Sequence, residues 1–137
     1  MLSHLSYSPA SPHYSNSPSG WQFAATSLII MGKRKEADMT IMEVGVVPLG
    51  TGETSLSPYV ARSVKVLREA GAKYEITAMG TIVEGELEEL MALATRMHRA
   101  VFAGGVNRVL TTIKIDDRRD KAATMTGKVA AVKKALG

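Results

Sequence analysis

Residues 39–137 read as an α+β domain: a four-stranded antiparallel sheet, two helices against one of its faces, and a further helix at the C-terminus. Three observations carry that reading. Short runs rich in β-branched residues alternate with longer stretches in the order βαββαβ. Within the longer stretches, apolar side chains recur at the three-and-four spacing of a helix face. Glycine, proline and serine fall between the elements, where turns are needed.

Taken in order, Ile41–Leu49 is β-branched, contains Pro48 near its end and stops at Gly50, as a strand does. Ser57-Pro58 is expected to open a helix, with serine as the N-cap and proline at the first helical position. Val60, Val64, Leu67 and Ala70 share its apolar face, and Gly71 ends it. Lys73–Met79 and Thr81–Glu84 form two short strands hinged at Gly80. A second helix starts at Gly85-Glu86, with Glu86, Glu88 and Glu89 near its positive end. Its stripe is Leu87, Leu90, Met91, Ala94, Met97 and Val101, and Gly104-Gly105 stops it. Val106–Ile115 is the fourth strand. A last helix is expected from about Asp120 to Leu136, with Met125, Val129, Val132 and Leu136 as its stripe and Lys133 and Lys134 near its negative end.

Split βαβ units in this order give a ferredoxin-like fold, with helices on one side of the sheet and the other side uncovered. In the fourth strand Arg108, Leu110, Thr112 and Lys114 are expected to face outward, and Val109, Thr111, Ile113 and Ile115 inward. In the first strand the alternation separates Met42, Val44 and Val46 from Glu43, Gly45 and Val47. An open face carrying Val47 and Leu110 is apolar enough that a second copy of the same sheet is its simplest cover. Self-association, as a homodimer or homotetramer, is the expectation.

Composition narrows the function. The chain is 45% hydrophobic and 22% charged, the balance of a globular protein. It has no cysteine, which excludes disulfide frameworks, zinc ribbons, iron–sulfur clusters and thiol nucleophiles, and makes the cytoplasm the default location. The net charge of +4 is spread among carboxylates rather than gathered on one face, so no nucleic-acid partner is expected. The aromatic positions that let related sheets stack bases are also missing, since the phenylalanines are Phe23 and Phe102.

Residues 1–38 differ from the rest. They hold eight serines and three prolines, and no carboxylate before Glu36. Such a segment buries too little apolar surface to offset its ordering entropy, so a disordered extension is expected, with Met39 as a possible true start. Phe23–Met31 is apolar but has no basic region before it, as a signal peptide would, and is too short for a bilayer. No arginine precedes Arg34, which argues against a transit peptide, and no membrane partner is expected.

The motifs that invite chemistry are mostly weak by spacing alone. Gly50-Thr51-Gly52-Glu53-Thr54-Ser55 lacks the lysine of a phosphate loop and the third glycine of a dinucleotide fingerprint. A plain strand-to-helix connection is its simpler account. The alternative is a small-ligand loop whose hydroxyls, from Thr51, Thr54, Ser55 and Ser57, line a pocket. Around the hinge, Tyr74, Ile76 and Ala78 share one face and Glu75, Thr77 and Met79 the other, and either set has groups that suit a ligand. Asp116-Asp117-Arg118-Arg119-Asp120 suggests a hard cation, but the two arginines would neutralise the site. A turn with local ion pairs, and Asp120 as N-cap of the last helix, fits better. His98 has no second ligand at metal spacing and reads as a packed or interface histidine. There is no nucleophile–base pair and no GxSxG elbow, so neither catalytic residues nor a metal are expected.

Several short blocks, in order, resemble the small thiamine-binding protein family: Met42-Glu43-Val44-Gly45-Val46-Val47-Pro48-Leu49-Gly50-Thr51-Gly52, then Ser55-Leu56-Ser57, Tyr74-Glu75-Ile76, Met79-Gly80-Thr81, and Thr111 to Arg118. The similarity spans Met39 to about Leu136. The resemblance implies a ferredoxin-like subunit that pairs through its sheets, often as a tetramer, and binds thiamine or its hydroxymethylpyrimidine moiety without catalysis. It places the ligand near the loop after the first strand and the hinge between the second and third. Thr54, Ser55 and Ser57 would supply hydroxyls there, Tyr74 a ring and Thr81 a hydroxyl, with Glu43 or Glu75 facing the cation or the pyrimidine. Such a protein would be a carrier or sensor. The competing reading is a small regulatory or scaffolding subunit that docks a partner protein through its open sheet or basic last helix.

Overall fold

In the computed structural model, residues 39–137 are described; the expectation of a disordered extension concerns residues outside that range. The elements are β1 (Thr40–Leu49), α1 (Ser57–Glu69), β2 (Lys73–Ile76), β3 (Thr81–Gly85), α2 (Leu87–Phe102), β4 (Arg108–Asp116) and α3 (Met125–Leu136). The four strands form one antiparallel sheet in the order β2-β3-β1-β4. This is the ferredoxin-like α+β architecture that the element order implied.

Strand alternation divides the sheet into two unlike faces. Met42, Val44 and Val46 of β1 are buried, and register places Val83 of β3 beside Met42 on the same side. Leu67 of α1 and Leu90, Leu93, Ala94, Met97 and Val101 of α2 close over them as the main core. Full burial of a side chain such as Leu67 contributes roughly 1.5–3 kcal/mol. Two details of the α2 stripe differ from the periodicity reading: Met91 is 41% exposed, and Leu93 is buried in its place. Leu93 lies three residues after Leu90 and four before Met97, which centres it on the face that meets the sheet.

Helix boundaries follow local chemistry. Ser57 is the first helical residue of α1 and not its cap, because Leu56 before it already has helical backbone angles, φ −103 and ψ −3. Pro58 is tolerated in the first turn, where its missing N–H has no intrahelical partner to lose. At the other end Gly71 adopts φ +64, and the Gly71 and Ala72 amides donate to the carbonyls of Arg68 and Leu67 at 3.2 and 3.0 Å, a Schellman closure. Gly104 lies just past the end of α2, where a Cβ would stand 2.8 Å from the Tyr59 ring of α1. The absence of a side chain there lets the two helices meet.

The last helix begins later than expected. Thr124, not Asp120, is its N-cap, and its Oγ1 accepts from the Gly127 amide at 3.0 Å. Asp120 is engaged elsewhere, paired with Arg118, while Arg119 pairs with Asp117. The charged run therefore forms the local ion pairs expected of it, but not the cap. Met125 is buried, whereas Val129, Val132 and Leu136 are exposed. The stripe read from the sequence has no cover within the described residues.

Register puts Ile41, Glu43, Gly45 and Val47 of β1, Lys73 and Glu75 of β2, Ile82 and Glu84 of β3, and Leu110, Thr112 and Lys114 of β4 on the face opposite α1 and α2. Val47 and Leu110 are direct cross-strand partners there, and both are exposed. On the helix side, Ile113 and Ile115 are also partly exposed, at 37% and 43%.

Candidate functional site

The sheet end that carries the β1–α1 loop and the β2–β3 turn holds a cleft of about 330 Å³. Its walls come from Val44–Val47 of β1, Leu56, Val60 and Ser63 at the start of α1, and Ile76–Thr81 around the turn. The turn is held by a backbone bond from the Thr77 amide to the Gly80 carbonyl at 2.9 Å and by one side chain. The Thr77 hydroxyl donates to the Gly80 carbonyl at 2.9 Å and accepts from the amides of Met79 and Gly80 at 3.3 and 3.1 Å. Gly80 lies tightly against β1, since a Cβ on it would reach Glu43 Cγ at 3.2 Å and the Val44 carbonyl at 3.3 Å. Opposite, the loop between β1 and α1 turns through Gly50 and Gly52, both at positive φ, and Thr51 Oγ1 ties it by donating to the Glu53 carbonyl at 3.0 Å.

Among the described residues no ionisable side chain lines this cleft. Its polar side chains are hydroxyls: Thr77, committed to the turn, Thr81, and Ser63. Ser63 is 1% exposed, and its Oγ is buried without a hydrogen-bond partner. A buried hydroxyl left unsatisfied costs about 1–3 kcal/mol, and this one lies behind the wall of the cleft. Ser63 sits on the inward side of α1, three residues after Val60 and four before Leu67.

A second, larger hollow of about 620 Å³ adjoins the first between α1 and β2. Val60 and Ile76 line both. Its wall is mostly apolar, and Ser57, Tyr74, Lys65 and Arg68 add a hydroxyl, a phenol and two cations to it. Lys65 Nζ lies 3.6 Å from Glu69 Oε1, an exposed pair one turn apart.

The structure separates the expected site residues into three groups. Thr81 lines the cleft, and Ser57 and Tyr74 line the adjoining groove. Thr54 and Ser55 are exposed in the loop and line neither hollow. Glu43 and Glu75 project to the opposite face of the sheet, and the Glu43 carboxylate accepts from Lys114 Nζ at 2.8 Å. Ser63, Lys65 and Arg68 were not among the expected residues. For Ser63 the available signal was a lone hydroxyl on an otherwise apolar helix stripe; nothing in the sequence distinguishes Lys65 and Arg68 from any solvated helix charge.

The sequence pattern of the thiamine-binding protein family matches residues 42–133. The chain belongs to that family. It is 48% identical over 99 residues to the UPF0045 protein of Methanothermobacter thermautotrophicus, covering 72% of this chain and 100% of that one. It is 44% identical over 102 residues to UPF0045 protein YqgV of Bacillus subtilis, covering 72% and 98%. Among solved structures, protein MJ1052 of Methanocaldococcus jannaschii superposes with a TM-score of 0.65 at 36% identity, over 70% of this chain and 97% of that one. A Thermotoga maritima protein provisionally assigned to thiamine biosynthesis or salvage superposes with a TM-score of 0.60 at 26% identity, over 69% and 98%.

In this thiamine-binding family member the rest of the polar chemistry lies away from the two hollows. His98 Nδ1 is 2.7 Å from Thr111 Oγ1, and its ring meets Phe102 edge-on with centroids 5.3 Å apart, so it is held by packing between α2 and β4. The side-chain hydrogen bond from Arg118 holds the Asp120 carboxyl down to about 2, and that from Arg119 lowers Asp117. Among the described residues no group of three or more His, Asp or Glu is placed to hold a metal ion, and no helix is long and apolar enough to cross a membrane.

Proposed function

We propose that this protein binds thiamine or its hydroxymethylpyrimidine moiety without transforming it, as a homo-oligomeric carrier or sensor. The observation that carries the reading is the unpaired Ser63 hydroxyl in the wall of an uncharged, largely apolar cleft. An aminopyrimidine is a flat ring whose faces suit apolar walls and whose edge offers both donors and acceptors. Ser63 Oγ, buried just behind the cleft wall, has its donor and acceptor capacity unused, so a slight opening of the wall on binding would turn it to that edge, and Thr81 stands in the same cleft. Membership of the thiamine-binding family supports the same ligand class.

Absence of catalysis is part of the proposal. Among the described residues neither hollow is lined by a histidine or carboxylate that would serve a hydroxyl as general base. The homo-oligomer is supported by the exposed Val47–Leu110 pair on the open sheet face and by the uncovered Val129, Val132 and Leu136 of α3.

Isothermal titration of the full chain with hydroxymethylpyrimidine and with thiamine tests the reading, alongside thermal melting with each. Binding at micromolar levels, with a ligand-dependent rise in melting temperature, is expected, because a ligand that binds only the native state stabilises it. No heat and no shift with either compound would refute it. Co-purification of a protein partner under those conditions would favour the regulatory or scaffolding role instead.

A further inference from the structure

The groove that continues from the cleft differs from it in charge, and this bears on which ligand the site accepts. Among the described residues the cleft wall has no ionisable group, whereas the groove wall adds Lys65 and Arg68 and no carboxylate. Val60 and Ile76 line both hollows, so the two lie side by side. Lys65 is partly answered by Glu69 at 3.6 Å, an exposed pair of little strength. Beside these cations stand two neutral donors, the Ser57 hydroxyl and the Tyr74 phenol.

We infer that the two hollows form one bipartite site for an aminopyrimidine carrying an anionic phosphate ester. The ring occupies the uncharged cleft against Ser63, and the phosphate extends into the groove toward Arg68 and Lys65. The inference rests on the binding reading above and sharpens it. A guanidinium presents a fork of N–H donors that matches phosphate oxygens, and charge-assisted hydrogen bonds are roughly twice as strong as neutral ones. A thiazolium cation in the same groove meets two like charges and, among the described residues, no carboxylate in the wall. The site thus favours a phosphorylated pyrimidine over thiamine itself.

Titration calorimetry on the full chain with hydroxymethylpyrimidine, its monophosphate and thiamine tests this. The monophosphate is expected to bind about tenfold more tightly than the unphosphorylated compound, with thiamine the weakest of the three. In Arg68→Gln, which keeps much of the side-chain stem, the ratio of the first two affinities should fall toward one. Lys65→Gln should lower it less, because Lys65 is shared with Glu69. Added salt should narrow the ratio in the unmodified protein, since exposed charges are screened. Equal affinities for the two pyrimidines, or a ratio unaltered in Arg68→Gln, would overturn the inference while leaving pyrimidine binding intact. Failure of both pyrimidines to bind would remove the binding reading and this inference together.

Discussion

The backbone amide of Met125 donates a 2.8 Å hydrogen bond to Glu84 Oε2, joining residues 41 positions apart in the chain. The other oxygen, Oε1, accepts from Lys73 Nζ at 2.8 Å. Only 3% of the Glu84 side chain is exposed, so this carboxylate is a buried acceptor with both oxygens answered. Glu84 faces the side of the sheet away from α1 and α2, and the bond therefore brings the first residue of α3 to the open face. Lys128 of α3 pairs with Asp116 of β4 and adds a second tie.

Removing that acceptor should loosen α3 selectively. Glu84→Ala is expected to destabilise the domain by about 2–3 kcal/mol, as loss of hydrogen bonds to a buried charged group does. Amide exchange at Met125 and through the first turn of α3 should quicken beyond the global change. Denaturant unfolding with hydrogen-exchange mass spectrometry measures both; unchanged exchange at Met125 would show that the bond does not position the helix.

Ser63→Ala should move stability and binding in opposite directions. The ligand-free protein loses an unsatisfied buried hydroxyl and should gain about 1 kcal/mol, a rise of about 4–8 °C in Tm for a domain of this size. Hydroxymethylpyrimidine affinity should fall about fivefold to tenfold as the ring edge loses its partner. A variant that gained stability and bound normally would place the ligand elsewhere.

Gly104→Ala tests the contact between α1 and α2. The new Cβ would meet Tyr59 Cε1 at 2.8 Å and Cδ1 at 2.9 Å, so the ring or the helix end must shift. Overpacking of this kind costs about 1–3 kcal/mol. Chemical denaturation should show the loss, and Gly104→Ala combined with Tyr59→Leu should recover part of it.

Leu110→Lys addresses self-association. Leu110 is 56% exposed beside Val47 on the open sheet face, so its replacement should leave the folded subunit little changed. If the proposed self-association uses this face, light scattering behind size exclusion should show a lower mass than for the unmodified chain. An unaltered mass would show that this face carries no interface.

The Asp120 titration has a definite sign. Its folded-state value, about 2, lies below that of an ordinary carboxyl because Arg118 donates to it. The pair's contribution is therefore present above the unfolded carboxylate range, near 3.9, and is lost as pH falls through about 2. Both groups are on the surface, so the site-specific titration is the informative readout. Carbon-detected NMR should find a low midpoint for Asp120, returning toward the ordinary range in Arg118→Ala.

Element order, strand alternation and the stop at Gly71 were readable along the chain, because each depends on neighbours a few residues apart. The inward set Met42, Val44 and Val46 follows from a period of two, and the Schellman glycine from backbone angles that a side chain resists. The start of α3 was not readable in the same way. Asp120 and Thr124 are both competent caps, and the choice between them turned on Arg118 occupying Asp120 and on Glu84 holding Met125 from another strand. The candidate site divides on the same principle. Thr81, Ser57 and Tyr74 belong to segments whose motifs mark them, but their assignment to two adjoining hollows, with Glu43 and Glu75 behind the sheet, is a matter of strand pairing. Ser63 became significant only when α1 packed on the sheet and took its hydroxyl out of water without supplying a partner. Local periodicity settles which residues a helix or strand can turn inward; whether a buried polar atom is answered depends on residues distant in sequence, brought together by packing.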